Sequence, residues 1–255
     1  MNLISAGVPS DWHSLQKEVA QILGECGMRS AVDVEVTTAR GSVKVDVVAV
    51  DDSRTPRVMV LCECKLWKQS VPQSVVHSFR TVVNDSGASL GLLISPRRAQ
   101  RGAYQATEHS NVHILSWAEF QAMFEDRWTR NYLLTSLSRE SHALVEYTQP
   151  ILRITRKARN LPPAERARFA KLRKRHLGAA FFAMAPCFAT SEGEAKLGVP
   201  QLPIGVGPAG LSARLVSALP ASVVTASCLR EFLDVYVSYL REATAEFDAL
   251  FGERA

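Results

Sequence analysis

The chain has 255 residues, 47% of them hydrophobic and 22% charged, which is an ordinary globular composition long enough for one large domain or a catalytic domain with an appendage. No apolar run approaches the length of a membrane span, and the N-terminus has no basic segment followed by a hydrophobic one, so the expectation is a cytoplasmic protein without a membrane partner. A formal net charge of +5 permits an anionic partner such as nucleic acid but does not establish one. Five cysteines, odd in number and without framework spacing, read as reduced thiols.

Trp12, Leu15, Val19, Ile22 and Leu23 recur at helical spacing and predict a helix from about Asp11 to Gly24. Gln16 and Lys17 face outward in this reading, and Glu18 borders the buried face. Val32, Val34 and Val36 alternate with Asp33 and Glu35 as a first strand, and Ala39 to Ser42 turn the chain into a second, Val43 to Val50, which carries Asp46 among valines. Asp51 to Pro56 read as a polar loop, and the apolar run Val58 to Cys62 as a third strand that ends in Glu63-Cys64-Lys65. Pro72 suits the first turn of a helix whose stripe is Val75, Val76, Phe79, Val82 and Val83. Leu90 to Ser95 form a buried strand, a helix holds Ala103 and Ala106, Val112 to Leu115 form a short strand, and a helix runs from Trp117 past Trp128. The order is that of an α/β domain, a mixed sheet flanked by helices, placed at 1–135. The rest, 136–255, is a mostly helical C-terminal region interrupted by a Gly/Pro-rich passage from Gly198 to Gly210, with an amphipathic stripe from Leu229 to Leu240. That stripe fits packing on the first domain or a homodimer seam through the C-terminal helix.

Strand side chains alternate, so Glu63 and Lys65 share a face, opposite Cys62 and Cys64. Burying either charge alone costs several kcal/mol, roughly, without a partner or a metal. Asp46 and Glu63 on neighbouring strands, with Lys65 beside them, can make a divalent-cation site of the kind that hydrolyses phosphodiesters. Cys62 and Cys64 look like half of a zinc site but have no second pair at suitable spacing, so they read as small buried hydrophobes.

The segments Gly41 to Ala49, Leu61 to Lys65, Val75 to Val83 and Gly91 to Ser95 together resemble the Mrr-like restriction endonuclease family of the PD-(D/E)XK superfamily, over about residues 11–120. Val45 stands where the superfamily's name has proline. The resemblance implies a restriction-endonuclease-like fold and Mg²⁺-dependent DNA cleavage, with Mn²⁺ able to substitute. It implies that Asp46, Glu63 and the Cys64 backbone carbonyl hold the metal, that Lys65 is the catalytic lysine, and that Glu18 is an additional acid of the site. Such an enzyme acts plausibly in restriction, against foreign DNA.

Other readings stay open on sequence. Glu63 or Asp46 can form a simple salt bridge with Lys65 at a sheet end, and Lys44 shares Asp46's face under strict alternation. Gln73, His77 and Arg80 can contact DNA or be ordinary helix surface. Arg156, Lys157, Lys171, Arg173 and Lys174 belong to a basic stretch, Arg153 to His176, whose only acid is Glu165; it suits phosphate contacts or a solvated helix face. A non-catalytic nucleic-acid-binding or scaffold subunit with a nuclease-like fold is the alternative to an enzyme.

Overall fold

The computed structural model describes residues 2–67, 70–96, 100–149, 152–189, 195–206 and 211–252. The chain divides into two compact units, Gly7–Asn131 and Tyr132–Ala255 with Met1–Ala6.

In the first unit, helix α1 (Trp12–Glu25) begins where the Asp11 carboxylate accepts the Ser14 backbone N–H at 2.9 Å, a cap that satisfies one of the helix's first N–H groups. The chain leaves it not at Gly24 but through Gly27, whose φ of 84° lies in the left-handed region. Strands β1 (Arg29–Thr38), β2 (Gly41–Asp51) and β3 (Val58–Cys64) form an antiparallel meander. Helix α2 (Gln73–Asp85) then crosses over to β4 (Leu90–Ile94), which lies parallel to β3; α3 (Arg101–Gln105) leads to β5 (Val112–Leu115), parallel to β4. The sheet is five-stranded in the order β1-β2-β3-β4-β5, and its mixed character is the one the sequence pattern predicts. Pro72 caps α2 from outside rather than opening its first turn.

Val76, Phe79 and Val83 of α2 pack with Val45, Leu61 and Leu93 in one apolar cluster. Gly91 is what lets α2 approach: a Cβ there would stand 2.6 Å from Val83 Cγ2. Helix α1 packs on β1, β2 and β3 and also meets α4 (Trp117–Trp128), which opens with a capping box between Ser116 and Glu119.

Asp51, assigned from sequence to a loop, is instead the last residue of β2 and only 1% exposed. It accepts Arg127 Nη1 at 2.7 Å, and Arg127 Nε donates at 2.7 Å to the Cys26 carbonyl at the end of α1. One guanidinium therefore ties α4 to both the sheet and α1.

A π-helical turn (Thr129–Leu133) separates α4 from α5 (Leu134–Thr148). The second unit continues with α6 (Leu152–Arg159), α7 (Pro163–Met184), a hairpin of β6 (Cys187–Ala189) and β7 (Ala195–Leu197), then α8 (Ala213–Val216), α9 (Ala221–Thr225) and α10 (Leu229–Phe251). The hairpin interrupts a region read as helical; of the Gly/Pro-rich passage, 207–210 lie outside the described residues. The stripe Leu229, Phe232, Leu233, Tyr236 and Leu240 is buried within this unit, where α10 packs on α5 and α7 and the Tyr236 hydroxyl donates to the Ala179 carbonyl at 2.6 Å. This corrects the dimer-seam reading, because a stripe covered by its own unit offers no apolar face to a second copy. The first N–H groups of α10 donate to the Leu3 and Ile4 carbonyls at 2.9 Å, so the chain's start supplies partners that a helix N-terminus otherwise lacks. Among the described residues no helix is long and apolar enough to cross a membrane.

Asp51→Ala is expected to destabilise the Gly7–Asn131 unit by about 2–4 kcal/mol, since it leaves Arg127 without its buried partner. Arg127 and Ser53 hold the Asp51 carboxyl below the usual carboxylate range. Its stabilisation is therefore complete above the unfolded-state pKa and is lost as pH falls through the carboxylate range. Urea unfolding at pH 7 and at successively lower pH checks both: the wild-type advantage over the variant should shrink with acidification.

Candidate active site

The pairing of β1 with β2 skips one position: Val32↔Val47 and Val34↔Val45 pair, but Asp33 and Asp46 between them do not. Asp33 has φ 55°, a left-handed conformation that Asp tolerates better than most residues. Val43, Val45 and Val48 all join the cluster under α2, which strict alternation forbids, so β2 changes face at Asp46–Val47. Val45, Asp46 and Val47 are accordingly buried in succession.

The pairing of β2 with β3 ends at Val47↔Cys62. Beyond it, both backbone groups of Cys64 bond to side chains instead. Its N–H donates to Asp46 Oδ2 at 2.7 Å, and its carbonyl accepts the Trp12 indole N–H at 3.1 Å. On the other edge β3 stays bound to β4, and the Lys65 N–H donates to the Ile94 carbonyl at 2.9 Å. Asp46 thus arrives from the diverging strand, and Glu63 and Lys65 from the strand that remains in the sheet.

Glu63 and Lys65 form a part-buried, hydrogen-bonded ion pair. Burial pushes the Glu63 carboxyl above the usual carboxylate range; the Lys65 hydrogen bond opposes this and the nearby Asp46 charge adds to it. Lys44, expected to share Asp46's face, pairs with Asp33 at 3.2 Å. Burial also raises the Cys62 and Cys64 thiols, which stay protonated as packing groups.

Two carboxylates held close in a half-buried place repel each other, and a hard cation relieves that repulsion. Asp46 and Glu63 supply oxygen donors that fit Mg²⁺, which keeps several waters and takes one or two carboxylates. No group of three or more His, Cys, Asp or Glu side chains suited to a metal occurs among the described residues. The Cys64 carbonyl has one lone pair engaged by Trp12 and a second left over.

Helix α1 contributes differently from expectation. Trp12, assigned to the buried stripe, is largely exposed and reaches Cys64. Gln16, assigned outward, is 2% exposed, and its Nε2 has no hydrogen-bond partner. It lies one turn beyond Trp12 on the same side of the helix, whereas the half-buried Glu18 is two residues further round, on another side. No pattern in the sequence distinguishes a glutamine buried beside a sheet end from one at the surface.

The Gln73 amide and the His77 ring are exposed and 3.1 Å apart, and Gln73 packs against Gly102 of α3. Arg80 Nη1 donates at 2.7 Å to the Ala106 carbonyl, which commits that guanidinium to joining α2 with α3. In the second unit Arg156, Lys157, Lys171 and Lys174 are exposed, Lys157 with its ammonium 6.0 Å from the centre of the Phe251 ring, while Arg173 Nε donates at 2.8 Å to the Thr148 carbonyl at the end of α5.

A mixed sheet whose diverging strands bring Asp46, Glu63 and Lys65 to one end defines a restriction-endonuclease-like nuclease domain. Residues 9–124 match the Mrr_cat family, described as "Restriction endonuclease", and this segment belongs to the Mrr-like restriction endonucleases of the PD-(D/E)XK superfamily. No curated protein matches the chain. A solved structure titled "Crystal Structure of Protein of Unknown Function AF1548" is similar at 13% identity and a TM-score of 0.39, over 95% of this chain and 100% of that one.

In metal-free protein, Glu63 should titrate above an ordinary glutamate. Lys65→Met should raise it further, because it removes the hydrogen bond that lowers it. Carboxyl-carbon NMR across pH 3–8 (roughly the range in which carboxylates shifted upward titrate) reads both, and a Glu63 signal unmoved by Lys65→Met would overturn this account of the pair.

Proposed function

We propose that the chain is a divalent-metal-dependent DNA endonuclease that acts in restriction of foreign DNA. The observation that carries the reading is the meeting of Asp46, Glu63 and Lys65 where β2 leaves β3, inside a segment of the restriction endonuclease family. A cation held by Asp46 and Glu63, Mg²⁺ or Mn²⁺, supplies Lewis acidity at the scissile phosphate and lowers the pKa of the attacking water.

The chain's own residues do the rest. The Cys64 N–H fixes the Asp46 carboxylate and leaves its second oxygen to the site. Lys65, anchored at its backbone to β4, brings a positive charge to where negative charge develops on the phosphate oxygens. Trp12 holds the Cys64 carbonyl and so fixes the backbone between Glu63 and Lys65, whichever of the carbonyl's lone pairs serves the cation. Glu18 remains the additional acid that the family resemblance offers from α1, while Arg80 and Arg173 have structural partners. Exposed Arg156, Lys171 and Lys174 add phosphate contacts from the second unit. A purely scaffolding descendant has no chemical reason to keep Asp46, Glu63 and Lys65 together in a part-buried place where burial costs them free energy.

Asp46→Asn, Glu63→Gln and Lys65→Met should each lower Mg²⁺-dependent plasmid cleavage by about a hundredfold or more. Their folds should survive, since an asparagine oxygen at 46 still accepts the Cys64 N–H. Mg²⁺ or Mn²⁺ should raise the thermal unfolding midpoint of the wild type and not that of Asp46→Asn or Glu63→Gln. Cleavage undiminished in all three variants sinks the assignment.

Replacing Lys171 and Lys174 together by alanine should weaken DNA binding equally across sequences. The slope of log K against log salt should become shallower by roughly 0.9 for each phosphate that is no longer neutralised. An unchanged slope, measured by fluorescence anisotropy over a salt series, removes these two residues from the interface.

A further inference from the structure

Beside Glu63 and Lys65 the nuclease unit opens a cavity of about 370 Å³ between the diverging end of the sheet and α2. Its walls are hydrocarbon, Val45 from β2 with Val75 and Phe79 from α2. Lys44, Glu63 and Lys65 bring charge from the sheet side, and Ser74 and Ser78, a turn apart on α2, bring hydroxyls from the other. At the mouth stands Trp67, 41% exposed, with the Lys65 ammonium 5.4 Å from the centre of its ring.

This combination has no place in the hydrolysis itself. Phosphate chemistry calls for charge and water, yet beyond Lys44, Glu63 and Lys65 the space is lined mostly by hydrocarbon, and the part-exposed Trp67 indole fronts it. Its size is near the lower end of small-ligand sites, and apolar walls with a few convergent polar groups are what such sites share. A stacked duplex is too broad to enter, and a sugar–phosphate backbone has no reason to leave water for valines. A nucleobase fits on every count: it is flat, its faces are apolar, and its edge carries donors and acceptors for two hydroxyls. A scissile phosphate at Lys65 places the neighbouring nucleotide of the same strand at the mouth of the cavity. The exposed indole offers that base a face to stack on.

We infer that this cavity receives one unstacked nucleobase of the strand being cut, with Trp67 as its stacking platform and Ser74 and Ser78 at its edge. The inference rests on the nuclease reading of the Asp46, Glu63 and Lys65 site and names what that site holds besides the phosphate. The base comes either from a single strand or frayed end or, by extrusion, from a duplex; the unstacked base next to the cut is common to both.

The test separates bases from phosphates. Binding of the full-length protein is measured by anisotropy, without cleavage, to a single-stranded thymidine 12-mer and to an abasic 12-mer of the same charge. The wild type should bind the base-bearing strand roughly tenfold more tightly. Trp67→Ala should erase that preference, Trp67→Phe should keep most of it, and Val75→Phe, which fills the cavity, should erase it with Trp67 intact. Since Trp67 is largely exposed, its variants test the idea even where Val75→Phe fails to fold. A duplex with one unpaired base, compared with a fully paired one, separates the sources. Trp67-dependent preference for the former shows extrusion, and preference confined to single strands shows a frayed or single-stranded substrate.

Equal binding of the base-bearing and abasic strands by the wild type overturns the inference, as does a preference that survives both Trp67→Ala and Val75→Phe. Plasmid cleavage, measured separately, reports on the nuclease reading. Cleavage without base preference discards the cavity assignment alone, and base preference without cleavage discards the catalytic assignment alone.

Discussion

The nuclease unit depends on one broken ladder. Strand β2 leaves β3 after the Val47↔Cys62 pair, and a strand that loses its neighbour exposes backbone groups whose burial without partners costs free energy. Here the Asp46 carboxylate takes the freed N–H of Cys64 and the Trp12 indole takes its carbonyl. Repairing the ladder with side chains has two consequences. It separates the two strands at the sheet's end, and it places a carboxylate between them. The face change at Asp46, with Asp33 opposite it in a left-handed conformation, is the backbone distortion that makes this reach possible.

The charges at that rim are held in tension. Glu63 is disfavoured as an anion by burial and by Asp46, and in the absence of a cation it is kept company by Lys65. A site of this kind gains most from a ligand that is both positive and hard. Helices α1 and α4 are fastened to each other and to β2. Arg127 bonds to both Asp51 and the Cys26 carbonyl, and Trp128 Nε1 donates to Glu25 at 2.6 Å, so the helix that carries Trp12 is fixed at its far end. Packing at one end of α1 thus helps to hold Trp12 at the other.

Elements with strong periodicity were legible in the chain itself. The valine alternations of β1 and β2, the apolar run of β3 and the stripe of α2 each fix their own type, because a single buried face imposes its period on the residues. Glu63 and Lys65 were legible for the same reason, as charges at the end of such a run. Less was legible where burial is not apolar. Gln16 reads as surface and is buried; Asp51 reads as loop and is buried against Arg127; Trp12 reads as core and is largely exposed. The β6–β7 hairpin has strands too short to show a period, and the destination of the α10 stripe depends on partners far away in sequence.

The chain alone is enough for the succession of strands and helices and for a mixed sheet, since these follow from local period, and it marks Asp46, Glu63 and Lys65 as charges set among apolar runs. What needed three dimensions was that Asp46 reaches across to Cys64, that Lys44 turns to Asp33, that the Trp12 indole reaches the Cys64 carbonyl, and that a cavity opens beside Lys65. Those outcomes turn on a one-residue change of face and on where two strands part. A face change shared by two paired strands keeps their register and moves every later side chain to the other face, so it is read from the three-dimensional pairing and packing.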